Sequence, residues 1–153
     1  MPTSVNIGDS NASLLDLQLF ASPERTGLVW LSASASQPST LSVHASDLDI
    51  NHVQWVAPVL LNDPFAGGFS FLTAAQQSNG GVAVAWHQVA ANVSQRMIVL
   101  RPTLASWMRP LRLDASDEYG DVLALAPTEA DEWVGVWQRR NGWAVDLLMT
   151  RLP

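Results

Sequence analysis

The chain repeats itself three times. Pro2 and Trp30, Pro58 and Trp86, and Pro110 and Trp137 stand 28, 28 and 27 residues apart, and the pairs recur at intervals of 51 to 56 residues. A period of this length in a strand-rich sequence points to a solenoid or a propeller. Repetition therefore constrains the architecture before any single residue is weighed.

Each unit opens on the form P-x-x-[LV]-[ND]: Pro2-Thr-Ser-Val5-Asn6, Pro58-Val-Leu-Leu61-Asn62 and Pro110-Leu-Arg-Leu113-Asp114. Pro can begin a strand without breaking its ladder, and Asn or Asp afterwards tolerates a turn, so the segment reads as a short strand ending in a turn. A second apolar run follows at 14–21, 69–75 and 121–126. The third run, GLVWLSAS, GVAVAWHQV or WVGVWQRR, alternates most clearly and leads to Trp30, Trp86 and Trp137. After a polar turn, of which Asn141-Gly142 is a strong hairpin pair, comes TLSVHAS, RMIVLRP or AVDLLMTR, with Arg101 and Arg151 taken as matching positions. The first two units end on Trp55-Val-Ala-Pro58 and Trp107-Met-Arg-Pro110. The runs are too short for helices of about 10 to 12 residues. The expectation is an all-β chain of three four-stranded antiparallel propeller blades, forming half of a six-bladed ring. The chain is read as one domain with repeats at 2–57, 58–109 and 110–153.

Composition narrows the partners. A content of 48% hydrophobic residues with seven Trp excludes a disordered chain, since apolar surface is ample to offset the entropy of ordering. Eight Arg, no Lys and fourteen acidic residues give a net charge of -6, which attracts neither phosphate backbones nor anionic lipid. Neither nucleic acid nor membrane is an expected partner. The absence of Cys removes disulfides and thiolate chemistry and leaves the compartment unread. The N-terminus carries no signal peptide pattern, so the sequence is cytoplasmic or a segment of a longer secreted protein.

The string GGVAVAWHQVAANVSQRMIVLRPTLASWMRPLRLD, residues 80–114, resembles a bacterial propeller repeat. In such a repeat a V-x-V-W strand, a polar turn, an aliphatic strand ending in Arg and a W-x-x-P segment succeed one another. The units look like blades of the broad sialidase-like and lectin-like propeller group, a resemblance that implies a scaffold able to hold ligands between blades with Trp, Arg and acidic side chains. Two departures stand out: there is no S-x-D-x-G-x-x-W box, and Ala45 and Ser46 occupy the place given to Arg101 and Arg151.

Three blades are fewer than the four to eight that close a ring. The phase of the repeat makes Pro2 the counterpart of Pro58 and Pro110, so the chain starts with the outer strand of a blade and stops after the third strand of another. The expected object is a C2 homodimer in which Pro2, Val5 and Ile7 of one copy complete the strand bearing Leu147, Leu148 and Met149 of the other, leaving no edge open.

For chemistry the residues offer less. Trp30, Trp86 and Trp137 recur at one position and read as core. Trp55, Trp107 and Trp143, with Arg139 and Arg140, are the candidates for a sugar-stacking ligand site. His44, His52 and His87 have no metal-ligand spacing, and Asp47-Leu-Asp49-Ile-Asn51 reads as turn capping because His52 and Pro58 stand where a calcium loop needs Gly and Glu. No metal or cofactor is expected. No nucleophile motif is framed, and the acidic pairs Asp117, Glu118 and Asp131, Glu132 lie in loop-like segments, so no catalytic residue is assigned. The leading expectation is a non-enzymatic scaffold or interaction module that self-assembles into a closed ring, its first partner a second copy, with carbohydrate or protein as candidate further partners. A lectin-like function comes second and a glycoside hydrolase third.

Overall fold

The computed structural model describes residues 4, 12–23, 25–34, 36–37, 39–49, 51–91, 93–103, 105–113, 122–130, 132–141 and 144–152. Among them there is no helix and every paired strand is antiparallel. In the first unit β1 (Ser13–Ser22), β2 (Arg25–Ala33) and β3 (Thr40–Asp49) lie side by side, and the short β4 (Gln54–Trp55) and β5 (Val59–Leu60) both pair with β3. In the second, β6 (Phe65–Gln76), β7 (Val82–Ala90), β8 (Val93–Arg101) and β9 (Leu111–Arg112) follow in order. The third contributes β10 (Val122–Pro127), β11 (Trp133–Asn141) and β12 (Ala144–Leu152) as a separate three-stranded sheet. The first two units are joined by a narrow bridge, Thr40 opposite Ala66 and Leu41 opposite Phe65. No sheet closes on itself among the described residues.

The repeat is exact enough in register to be counted from its tryptophans. Leu17, Trp30 and His44 share one row; Leu72, Trp86 and Met97 share the next; Val122, Trp137 and Leu148 share the third. A bulge interrupts each first strand within one residue of that row, between Leu14 and Asp16, Ser70 and Leu72, and Val122 and Ala124. A bulge bends a strand and increases its twist, and the first two meet where the strands of adjacent units touch. There β6 packs against β1 on one side and β10 on the other, and Asp16 Oδ2 accepts the Leu72 N–H at 3.2 Å across the junction.

This register corrects one expectation. Arg101 pairs opposite Val82, four residues before Trp86, but Arg151 pairs opposite Val134, three before Trp137. Side chains alternate faces along a strand, so a one-residue offset puts the two arginines on opposite faces. The true counterparts of Arg101 are Leu48 and Leu152.

Alternation also explains the core. Residues Val82, Val84 and Trp86 of β7 face the first unit, where Val29, Leu31 and Val43 complete one buried cluster. The intervening Ala83 and Ala85 face the third unit and join Ile98, Leu125 and Trp133. A strand buried on both faces needs an almost unbroken apolar run, which Val82-Ala-Val-Ala-Trp86 supplies. The large residues fill one side while the alanines admit Trp133 on the other. Trp30, Trp86 and Trp137 are all buried, as expected of core residues. Burying each large side chain stabilises by roughly 1.5–3 kcal/mol, so the units are held face to face chiefly by apolar contact.

Candidate functional site

The P-x-x-L-[ND] segments fasten the outer edge of the units. The Leu61 N–H donates to Val43 O and the Leu113 N–H to Arg96 O, both at 2.8 Å, so the motif leucine makes the same bond in the first and second units. Asn62 adds a side-chain clamp: its Oδ1 accepts the Val43 N–H at 2.6 Å, while its Nδ2 donates to Asp63 O at 2.9 Å. Pro2, Val5 and Ile7, which belong to the first occurrence of this motif, lie outside the described residues.

Between these two outer edges runs a groove of about 760 Å³. The segment from Val59 to Asp63 forms one wall and Trp107-Met108-Arg109-Pro110 the other; Trp86, Gln88 and Met97 line it between them. Gln88 is committed internally, its Oε1 accepting from Trp86 Nε1 at 2.8 Å and its Nε2 donating to Gln95 Oε1 at 2.9 Å. Arg109 and Asp63 are exposed on opposite walls. The result is an aromatic surface flanked by a guanidinium and a carboxylate, suited to a polyhydroxylated ligand that offers both an apolar face and hydroxyls.

Trp107 owes its place to a backbone bond and to the Arg101 guanidinium. The Met108 N–H donates to Leu100 O at 2.8 Å, matching the bond from Val56 N–H to Asp47 O, so Trp55 and Trp107 are true counterparts. Trp55 lies in a strand opposite Leu48, whereas Trp107 lies in none and instead carries the Arg101 guanidinium 4.4 Å from its ring centroid. Arg101 is buried and bidentate to Asp47 of the first unit, Nη1 to Oδ2 at 2.6 Å and Nη2 to Oδ1 at 3.0 Å. Arg25 Nε approaches the same carboxylate at 3.9 Å.

The other candidates divide. Trp55 and Trp107 are both half-buried, but only Trp107 lines the groove. Trp143 lies outside the described residues; Arg139 and Arg140 sit on β11 opposite Asp146 and Val145. Leu147 and Leu148 lie on β12, with Met149 strongly exposed beside them. Asp49 does cap a turn, its Oδ1 accepting the Asn51 and His52 N–H groups, and the hydrogen bond from the His52 ring holds its carboxyl below the usual range. Asp47, read with it as a turn residue, belongs instead to the ion pair between units. His44 stacks on Trp30 at 5.4 Å, and burial lowers its pKa. His87 is buried between two hydroxyls, Ser70 Oγ at 2.6 Å from Nδ1 and Ser94 Oγ at 2.7 Å from Nε2. No group of three or more His, Cys, Asp or Glu is placed to hold a metal among the described residues. The Arg that the groove does use, Arg109, was legible only as the difference between W-x-R-P and W-x-A-P.

Repeated antiparallel units with a groove between their outer edges define an all-β repeat protein. No protein-family model and no curated protein matches the sequence. Among solved structures the chain is similar in fold to an endo-arabinase from Bacteroides thetaiotaomicron VPI-5482, at 12% identity and a TM-score of 0.54, over 92% of this chain. The chain spans 56% of that protein's length.

Proposed function

We propose that the chain is a non-enzymatic propeller module, three blades that assemble with a second copy into a six-bladed C2 ring. What carries this reading is the motif pairing. The segments at Pro58 and Pro110 lie as outer strands on the preceding unit, and Pro2-Thr-Ser-Val5-Asn6 has the same form. Its counterpart acceptor is the third long strand of another unit, and β12 has no outer strand among the described residues. Pro2, Val5 and Ile7 of one copy would then pair along Leu147, Leu148 and Met149 of the other. Removal of residues 1–8 is expected to leave monomeric or insoluble protein; a soluble truncated dimer would contradict the strand's role.

A second reading is favoured by the groove and by the fold likeness to an endo-arabinase: the assembled module binds carbohydrate. Trp107 offers a stacking face, and Arg109 and Asp63 offer hydrogen bonds to hydroxyls. On a glycan array that includes arabinan oligosaccharides, the intact protein is expected to retain at least one saccharide, and Trp107→Ala to weaken it by roughly 1–3 kcal/mol, the worth of a good stacking partner. Saccharide binding unchanged by Trp107→Ala and Arg109→Ala, or no binding at all, would count against this reading.

A further inference from the structure

Because the three units share one register, the same position can be compared where it has a neighbouring unit and where the described residues provide none. Leu19 pairs opposite Leu28, two residues before Trp30; its counterpart Leu125 pairs opposite Gly135, two before Trp137. Leu125 faces the second unit and is 8% exposed, whereas Leu19 is 61% exposed. In the tryptophan row itself, Leu72 faces the first unit and is 4% exposed, but Leu17 is 42% exposed. At the other end of the row of units the inequality reverses face. Met149 pairs opposite Val136, and its counterpart Ile98 pairs opposite Ala85; Ile98 is 2% exposed against the third unit, and Met149 is 73% exposed.

These positions correspond, through the repeat, to the two sides of the contacts between units inside the chain. The residues exposed on the first unit occupy the positions that receive a preceding unit inside the chain, and those exposed on the third occupy the positions that receive a following one. A unit of the same repeat packed over them would cover these residues as the neighbouring units cover Leu72, Leu125 and Ile98. We propose that a second copy of this chain does so, Leu17 and Leu19 of each copy packing against Val136 and Met149 of the other, as Leu125 packs in one cluster with Ile98 and Ala85. Two such contacts, related by a two-fold axis, close the assembly. This inference rests on the ring proposed above but concerns its faces rather than the exchanged strand.

The test is a charge complementation on the full chain, read by light scattering. Leu19→Lys alone and Met149→Glu alone each place an unpaired charge in the interface and are expected to weaken dimerisation about a hundredfold or more, with far-UV circular dichroism unchanged. The double variant sets Lys against Glu at both contacts and is expected to regain dimer mass. If the wild-type chain is monomeric, the ring reading fails. If the wild type is dimeric but both single variants stay dimeric, this assignment of the faces is overturned while the ring stands. Unfolded single variants would also overturn it, by showing that these side chains serve their own unit.

Discussion

At the scale of single residues, the most informative side chains are polar ones placed among apolar neighbours. His44 lies against Trp30, and burial disfavours its charged form, so its folded pKa falls below the ordinary 6.5. The unfolded chain then takes up a proton first as pH falls below about 6.5. This contribution to stability is complete above that pH, declines as pH falls toward the lowered folded value, and does not change further below it. His44→Phe keeps an aromatic face on Trp30 and removes the titration. Melting temperatures compared between pH 7.5 and 5 are expected to fall more for the wild type than for His44→Phe; parallel curves would show that His44 is not the group responsible. Nothing in the sequence marks His44 out from His52 or His87, because only the cross-strand register puts it over a tryptophan.

Among elements, the most consequential link is the clamp from β3 to β8. Asp47 and Arg101 are 54 residues apart in sequence and join adjacent units through two short charge-assisted bonds. Removing one partner leaves the other charge poorly solvated, so Asp47→Asn or Arg101→Met is expected to cost about 2–4 kcal/mol. In a chain of this size that is a fall in melting temperature of about 5–15 °C. Arg101→Met should also release Trp107 and weaken saccharide binding, while a change below about 0.5 kcal/mol would show that the apolar faces hold the units unaided. The strands were legible because hydrophobic alternation leads to the same tryptophan three times, and the outer strands because Pro and Asn bracket them. The clamp was not, since the run Asp47-Leu-Asp49-Ile-Asn51 has the composition of a turn, and only Asp49 serves as one. Arg101 and Arg151 look equivalent along the sequence, but faces alternate at every residue and the count from the tryptophan differs by one. Of the groove, Trp107 was foreseeable from the repeated W-x-x-P, whereas the facing wall of Asn62 and Asp63 depends on how two units dock.

At the scale of the whole molecule, three units stand face to face, with interior faces closed and apolar residues exposed at either end of the row. The proposed assembly follows from applying to those end faces the packing already present between the units. Its mass in solution is the most direct test. Light scattering at micromolar concentration should return twice the chain mass of 16.6 kDa, a closed pair with no larger species. A single monodisperse species at 16.6 kDa would contradict the account.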